Sequence, residues 1–311
     1  MFSLTSRTSA AISVAILCAT AAFAAPAPVV LEERSVTALS SGDLASLAPF
    51  TQFARAAYCS TSKLQNWQCG DACNANSDFQ VTLVGGDGNA VQIFFVGFSP
   101  SQNSVIVAHE GTDPTKFLSV LTDANILMDP LDTGLFPGVS SSVQVHDGFR
   151  NQQALTAPTI LKEVKRLMAL KNTNNVVVVG HSLGGALAEL DALFFVLNLP
   201  SSANVKAVTY GTPRVGNPAF AQLIDAKVPN FRRINNELDI IPIVPGRFLG
   251  FQHPHGEVHI ISPNNAVSCP GDDDATDPEC QIQSVPNIFE GSILDHLGPY
   301  QGISIGTIFC T

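Results

Sequence analysis

The sequence predicts an α/β fold with a central, mostly parallel sheet, helices on both faces and an antiparallel meander near the N-terminus. Two observations lead to this prediction. First, a run of four valines, Val176–Val179, passes directly into the sequence GHSLGG and an apolar helical pattern. A continuous apolar strand is typical of the centre of a sheet that helices cover on both sides. Second, strand-like runs alternate with helical patterns after this point, which is typical of parallel strands joined by right-handed crossovers.

The first 40 residues are predicted to precede the folded domain. Arg7 supplies a positive charge, an alanine-rich apolar stretch follows, and the sequence AFA at 22–24 has the small-x-small pattern of a cleavage site. These features predict a secretory signal peptide over residues 1–24 and an extracellular protein. The apolar stretch is too short for a transmembrane anchor. Residues 25–40 are interpreted as a pro-segment or a flexible N-terminus.

A single domain is predicted over residues 41–311, because no linker, repeat or change of composition interrupts this part of the chain. It begins with a helical pattern that Ser41 is expected to cap. The strand-like runs FQVTLV, VQIFFVGF and SVIVAHE are separated by short turns and predict the antiparallel meander. A long helix is expected over residues 147–172, with a break or kink at Pro158.

Charge and cysteine content exclude several classes of function. The formal net charge is -10 and no basic cluster occurs, so no nucleic-acid partner is expected. Cys69 and Cys73 have the spacing of half a zinc site, but no second pair or nearby histidine completes it, so no metal or cofactor is expected. An even number of cysteines follows the signal peptide, which predicts three disulfides in an oxidising compartment. These cysteines are Cys59, Cys69, Cys73, Cys269, Cys280 and Cys310.

The junction between the valine strand and the next helix carries the strongest chemical signal. Its sequence is G-x-S-x-G, the nucleophile elbow of the α/β-hydrolase fold, in which a strained turn holds the serine clear of the sheet. Ser182 is the predicted nucleophile, and Gly180 and Gly184 avoid collisions because they lack a Cβ. The backbone N–H of Leu183 is then placed to bind an oxyanion.

A serine nucleophile needs a histidine base and an orienting carboxylate, which follow it in the order Ser, acid, His in this fold. Glu237 and Asp239 are the candidate acids, and Asp239 has the usual position in the loop after a strand. Four histidines follow Ser182, and His296 is the candidate base because it lies near the C-terminus. The other three occur in HPHGEVH and form a possible metal set, but no carboxylate is placed as a further ligand. They are His253, His255 and His259.

Several longer stretches make the sequence similar to a known family. VVGHSLGGALA, YGTPRVGNPAFA, FRRINNELDIIPIVP, GFQHPHGEVHI and ILDHLGPY occur in order and at similar spacing. On these motifs the chain resembles the secreted fungal class 3 lipase family. This family comprises the filamentous-fungal triacylglycerol lipases and also contains feruloyl esterases. The resemblance covers roughly residues 44–311.

The resemblance implies Ser182 as nucleophile, Asp239 as acid and His296 as base. It also implies that Thr112, after a glycine, supplies the second oxyanion donor beside Leu183. The implied disulfides are Cys59–Cys310, Cys69–Cys73 and Cys269–Cys280. The chain departs from the family in having His109-Glu110 where Phe-Arg is usual before the glycine.

An apolar segment after Thr112 is expected to form a lid over the site. The family has a lid in this position, and an enzyme that binds lipid must hide its apolar face in water. A helix packed permanently into the core is the alternative, because apolar spacing alone does not separate the two. The lid residues are Asp113 and Pro114 at the hinge, followed by Phe117, Leu118, Val120 and Leu121.

These observations predict a secreted serine hydrolase that cleaves acylglycerol esters at a lipid–water interface through an acyl-enzyme. The protein is expected to act as a monomer without a membrane anchor. One alternative is a feruloyl or short-chain carboxylesterase, and another is an inactive homologue that binds lipid. Acyl chain length, regioselectivity and pH optimum do not follow from the sequence.

Overall fold

The computed structural model describes residues 36–121, 126–273 and 276–310, apart from the side chains of Thr115 and Val120. The predicted signal peptide lies outside these residues, as does most of the segment predicted to follow it. No helix within the described ranges is long and apolar enough to cross a membrane.

The elements alternate along the chain as the sequence pattern predicts. The strands are β1 (Thr37–Ala38), β2 (Gln80–Gly85), β3 (Phe94–Ser99), β4 (Ser104–His109), β5 (Met128–Pro130), β6 (Gln144–His146), β7 (Asn175–His181), β8 (Asn204–Tyr210), β9 (Asn230–Asn236), β10 (Glu257–Ser262) and β11 (Asn265–Ser268). The helices are α1 (Ser41–Ala45), α2 (Ala48–Ala56), α3 (Thr61–Gln65), α4 (Asp71–Ala75), α5 (Pro114–Leu121), α6 (Asp147–Lys171), α7 (Leu183–Asn198), α8 (Pro218–Lys227) and α9 (Gln281–Ser284).

The described part of the chain contains one large sheet, in the strand order β1-β11-β10-β9-β8-β7-β4-β3-β2. The strands β4, β7, β8, β9 and β10 are parallel neighbours, whereas β2, β3 and β4 pair antiparallel. The predicted parallel sheet and its antiparallel meander are therefore confirmed. The small strands β5 and β6 pair separately, beside the start of α6.

The valine strand β7 lies at the centre of the molecule. Val176 and Val178 pack into an apolar cluster with α6 and α7, whereas Val177 and Val179 pack into a second cluster with α2 on the opposite face. This alternation explains why the strand is apolar throughout. In α7, every residue from Leu183 to Phe195 is buried, so this helix is a core element that holds the end of β7 in place.

The structure differs from the sequence prediction at three points. Thr37–Ala38 pairs with β11, so ordered structure begins before residue 41, within the segment predicted as a pro-segment or flexible N-terminus. The cap of α1 is Ser40, whose hydroxyl accepts the N–H of Asp43, and not Ser41. Pro158 lies inside α6 and does not end it.

The described residues form three disulfides, Cys59–Cys310, Cys69–Cys73 and Cys269–Cys280. They are the pairings that the family resemblance implies. The first joins positions 251 residues apart in the sequence and ties the segment after α2 to the C-terminal end of the described chain.

Candidate active site

Ser182 lies in a strained turn between β7 and α7. Its backbone has a φ of 60° and a ψ of -129°, a conformation that residues other than glycine rarely adopt. The turn is tightly enclosed: a Cβ at Gly180 would lie 2.0 Å from the carbonyl oxygen of Gly184, and one at Gly184 would lie 2.3 Å from that of His109. Both glycines are therefore required by close packing, as the elbow motif predicts.

Asp239 and His296 meet in the loops at the carboxyl end of the sheet. Oδ2 of Asp239 lies 2.8 Å from Nδ1 of His296, and Oδ1 accepts the N–H of Ile241 at 2.8 Å. Both side chains are fully buried. Because an ionised carboxylate only accepts, Nδ1 of the histidine donates, and Nε2 of the neutral ring remains an acceptor. Asp239, and not Glu237, is thus the carboxylate that orients His296.

The serine and the histidine leave reactive atoms without a partner. Within the described chain, neither Oγ of Ser182 nor Nε2 of His296 makes a hydrogen bond, and both atoms are buried. Catalytic hydrogen bonds are often unmade before substrate binds. A buried serine hydroxyl and a buried imidazole nitrogen that are both unsatisfied are therefore compatible with a site that is closed in this structure.

A hydrogen-bonded chain behind the site was missed by the sequence analysis. Nε2 of His181 lies 2.7 Å from the carbonyl oxygen of His296, and Nδ1 lies 2.6 Å from the hydroxyl of Tyr58. A carbonyl only accepts, so Nε2 carries the proton and Tyr58 donates to Nδ1. Burial lowers the pKa of His181 well below its ordinary value and keeps the ring neutral. His181 thereby links the serine elbow to the loop of His296, and the only signal for it was its place in the GHSLG motif.

The two predicted oxyanion donors border one cavity. Thr112 and Leu183 both line a cavity with a volume of about 220 Å³. Gly111 precedes Thr112 at a point where a Cβ would lie 2.1 Å from the hydroxyl oxygen of Tyr58 and 3.0 Å from Cβ of Ser182. The glycine therefore lets the segment between β4 and α5, which carries Thr112, approach the elbow closely.

The structure explains why the sequence differs from the family pattern at residues 109 and 110. Nε2 of His109 lies 2.9 Å from Oδ2 of Asp191 on α7, and the amide of Gln153 on α6 donates to the other carboxylate oxygen at 2.8 Å. Glu110 accepts the N–H of Ile93 at 3.0 Å, and burial raises the pKa of this carboxyl. Side-chain hydrogen bonds therefore hold the end of β4 beside the elbow.

The predicted lid segment forms α5 and packs against the core. Phe117 and Leu121 are buried in the cluster that contains α6 and α7, and Leu118 packs against it from a half-buried position. The predicted hinge, Asp113 and Pro114, lies where α5 begins. The side chain of Val120 is outside the described residues. Opening of this helix stays a prediction.

The remaining histidines after the serine have other contacts. Nε2 of His253 lies 2.8 Å from the carbonyl oxygen of Pro242, and the ring of His259 lies between the backbone carbonyls of Glu237 and Glu279. His255 pairs with Asp225 at the surface. Each of the three is thus committed to a separate contact, and they do not converge on one point.

Comparison with known proteins identifies the family. The class 3 lipase family model matches residues 106–249. A lipase of Rhizomucor miehei is 32% identical over 295 residues, which cover 90% of this chain and 74% of that one. The secreted mono- and diacylglycerol lipase LIP2 of Malassezia restricta is 30% identical over 216 residues, and the match spans 66% of its length, just under two thirds.

A solved structure extends the likeness to three dimensions. It is described as a triacylglycerol lipase whose catalytic centre is a serine protease triad, and it has a TM-score of 0.77 and 28% identity to this chain. The match covers 89% of this chain and 100% of that structure. The predicted α/β-hydrolase fold is therefore confirmed, and the chain belongs to the class 3 lipase family.

Proposed function

We propose that this protein is a secreted, monomeric lipase that cleaves the carboxylic esters of acylglycerols through an acyl-enzyme. The observation that carries the proposal is the site geometry. Ser182 is strained and buried, and its neighbour His181 lies with its ring 4.3 Å from the ring of His296. Nδ1 of His296 is held by a buried aspartate, and its Nε2 is left to accept a proton. Relatives named as secreted mono- and diacylglycerol lipases support the same substrate class and the same location.

The chemistry follows from these groups. Nε2 of His296 takes the proton of Ser182 as Oγ attacks the ester carbonyl, and then transfers it to the leaving alcohol. Asp239 stays ionised and stabilises the imidazolium. The backbone N–H of Leu183, together with Thr112, stabilises the oxyanion, and the N-terminal dipole of α7 adds to this field. Water attacks the acyl-enzyme by the same route and releases the acid.

Exposed apolar side chains support a lipid surface as the place of action. Leu238 precedes Asp239, Leu294 lies close to His296 in the sequence, and both are exposed. Phe248 and Phe289 are 90% and 91% exposed. Phe248 lines a largely apolar groove of about 550 Å³, to which Leu121 of α5 also contributes. Exposed apolar side chains are unfavourable in water and favourable against lipid.

The closed site requires a movement before substrate can enter. Ser182 is fully buried, and Lys116 and Phe117 of α5 line the cavity to which Leu183 also contributes. We infer that α5 swings away at a lipid surface, which uncovers the serine and exposes the apolar side chains of the helix. The energetic cost of exposing them in water is then replaced by a gain against lipid.

The test is the rate of hydrolysis against tributyrin concentration, followed through the solubility limit. A lidded lipase gains rate when droplets form, and Phe117→Ser/Leu118→Ser should weaken emulsion binding and reduce the gain. The matched control is Leu155→Ser/Leu170→Ser, which changes exposed leucines on α6. It should behave as wild type.

Two results would favour a different function. A smooth saturating curve in all three proteins, with strong turnover of methyl ferulate or short soluble esters, would favour the feruloyl or short-chain esterase. Failure of a phosphonate ester probe to label Ser182, with binding to emulsions intact, would favour an inactive lipid-binding homologue.

A further inference from the structure

The two residues of the proposed catalytic pair, Asp239 and His296, both lie in loops. Asp239 follows β9 in a tight turn, in which its N–H donates to the carbonyl oxygen of Asn236 at 3.0 Å. Glu237 in this turn has a φ of 43°, a strained conformation for a residue other than glycine. His296 lies in a single turn of 3₁₀ helix, Asp295–Leu297. The distance between acid and base therefore depends on contacts that the loops make.

Asp295 joins the two loops directly. Its Oδ2 accepts the backbone N–H of Leu238 at 3.1 Å, and its Oδ1 accepts the hydroxyl of Ser292 at 3.0 Å. Oγ of Ser292 accepts the N–H of Asp295 at 3.3 Å in return, as in a capping box. The carbonyl oxygen of Asp295 accepts the side-chain amide of Asn236 at 3.0 Å. Both the side chain and the backbone of Asp295 thus bind the turn that leads to Asp239.

This Asp295 bridge lies one residue away from the proposed catalytic contact on both loops. Asp295 directly precedes His296, as Leu238 directly precedes its own catalytic neighbour. The contact of the bridge and the contact of the catalytic pair each join residues 57 apart in the sequence. The backbone supports the same register, since the N–H of Ser292 donates to the carbonyl oxygen of Leu238 at 2.7 Å. A shift of Asp295 relative to Leu238 would therefore displace the histidine ring from its carboxylate by a similar amount.

Other contacts hold each member of the pair to a separate part of the protein. The side-chain amide of Gln281 donates to the carbonyl oxygen of Asp239 at 2.7 Å. The carbonyl oxygen of His296 accepts from Nε2 of His181 at 2.7 Å and from the hydroxyl of Tyr300 at 3.1 Å. These bonds hold each residue in place, but they do not join the acid to the base.

We propose that Asp295 is a positioning residue for ester hydrolysis, which fixes His296 against Asp239 without touching the reacting atoms. The inference rests on the proposed function, because it assigns a role within that active site. Both carboxylate oxygens of Asp295 accept donors outside the catalytic pair, so this residue does not replace Asp239 as the acid. A misplacement of about 1 Å at a catalytic group costs about 10² in rate. Loss of the bridge should therefore reduce kcat and leave substrate binding nearly unchanged.

The experiment compares variants of Asp295 on a soluble p-nitrophenyl ester. Asp295→Ala removes both side-chain acceptors, and kcat should fall by about 10- to 100-fold with KM within about threefold of wild type. Asp295→Asn retains the bridge, since its amide oxygen accepts from Leu238 and its amide N–H donates to Oγ of Ser292. This variant should keep kcat within about threefold of wild type, because the geometry is preserved.

Asp78 provides a matched control at a distance from the site. Its Oδ2 accepts the N–H of Ser101 at 2.7 Å and its Oδ1 accepts the hydroxyl of the same residue at 3.3 Å. It thus joins two segments with the same kinds of contact as Asp295. Ser101 lies in the turn between β3 and β4, at the end of β4 opposite to His109. Asp78→Ala should therefore leave both kcat and KM unchanged.

A spectroscopic measurement separates positioning from a general loss of stability. The proton shared by Nδ1 of His296 and Oδ2 of Asp239 should give a strongly deshielded NMR resonance, which Asp239→Asn serves to assign. This resonance should shift upfield in Asp295→Ala and stay in place in Asp295→Asn and Asp78→Ala. A variant that is only less stable retains the resonance, because its folded molecules keep the wild-type contact.

Two outcomes would overturn the inference. One is an unchanged kcat with an unshifted resonance in Asp295→Ala or, should that variant not fold, in Ser292→Ala, which removes the bond to Oδ1. The other is a loss in Asp295→Asn as large as that in Asp295→Ala, which would assign the effect to charge and not to the bridge. The proposed ester hydrolysis is judged separately, from tributyrin turnover by wild type and Ser182→Ala.

Discussion

Two buried histidine–aspartate pairs in this molecule have nearly the same geometry. His296 and Asp239 are 2.8 Å apart, and His109 and Asp191 are 2.9 Å apart. All four side chains are almost completely excluded from solvent. The two pairs differ in which nitrogen of the histidine is hydrogen-bonded to the aspartate. In the first pair the histidine uses Nδ1 and keeps Nε2 free, whereas in the second Nε2 itself is bound.

In the second pair, both carboxylate oxygens of Asp191 have a hydrogen-bond partner. Gln153 donates to the other oxygen of Asp191, so this carboxylate joins β4, α7 and α6 into one unit. Asp239 and His296 lie instead in loops at the end of the sheet, next to a serine whose hydroxyl also lacks a partner among the described residues. A histidine–carboxylate contact is therefore not by itself a sign of catalysis. What distinguishes the proposed catalytic pair is that Nε2 of its histidine, like Oγ of Ser182, lacks a partner among the described residues.

The largest effect is expected from the nucleophile and the base. Ser182→Ala and His296→Ala should each lower kcat by about 10⁴–10⁶, and the double variant should lose little more because the residues act as a unit. Active-site titration and burst kinetics on a p-nitrophenyl ester measure this. Near-normal turnover by Ser182→Ala would contradict the proposed active site as a whole.

The two aspartates provide the direct test of the comparison. Asp239→Asn should reduce kcat by about 10³–10⁴, because the amide no longer holds the correct tautomer of His296. Asp191→Asn should instead destabilise the fold by about 1–3 kcal/mol and change kcat by less than about tenfold. Urea unfolding and steady-state kinetics on both variants separate the two effects. A catalytic loss in Asp191→Asn equal to that of Asp239→Asn, at unchanged stability, would contradict the comparison.

A smaller effect is expected at the oxyanion position. Thr112→Val keeps the shape of the side chain and removes its hydroxyl, which should lower kcat by about 10²–10³ if that hydroxyl binds the oxyanion. Thr112→Ser retains the hydroxyl and is the control. An unchanged kcat in Thr112→Val would leave only the backbone N–H as a donor at this residue.

The sequence predicted the site correctly where a chemical motif coincides with a regular pattern of apolar residues. The elbow follows from a buried strand, two glycines and a serine, and the structure shows that those glycines have no room for a Cβ. The loop position of Asp239 was likewise enough to favour it over Glu237. Contacts that depend on how helices pack could not be predicted in this way. Tyr58 meets His181 across 123 residues, and His109 meets Asp191 across 82, with no local pattern that indicates either contact.

The last expected effect is on stability alone; it concerns a second carboxylate on α7 and sharpens the contrast with Asp191. Glu189 is fully buried, and neither of its carboxylate oxygens has a partner within the described residues, whereas Asp191 has two donors. Burial raises the pKa of Glu189 from 4.5 to about 8. Between these values the folded protein holds a proton that the unfolded chain releases, so unfolding becomes more favourable as pH rises.

The contribution of Glu189 to stability is thus fully present below its unfolded pKa and is lost as pH rises toward about 8. It falls by about 1.4 kcal/mol per pH unit within this window. Glu189→Gln removes the titration, so urea unfolding across the window should show the variant gaining stability relative to wild type as pH increases. Glu279→Gln, at an exposed glutamate, should run parallel to wild type. Parallel curves for wild type and Glu189→Gln would mean that this carboxyl is ionised in the folded protein, and that a lack of hydrogen-bond donors on α7 does not keep a buried acid neutral.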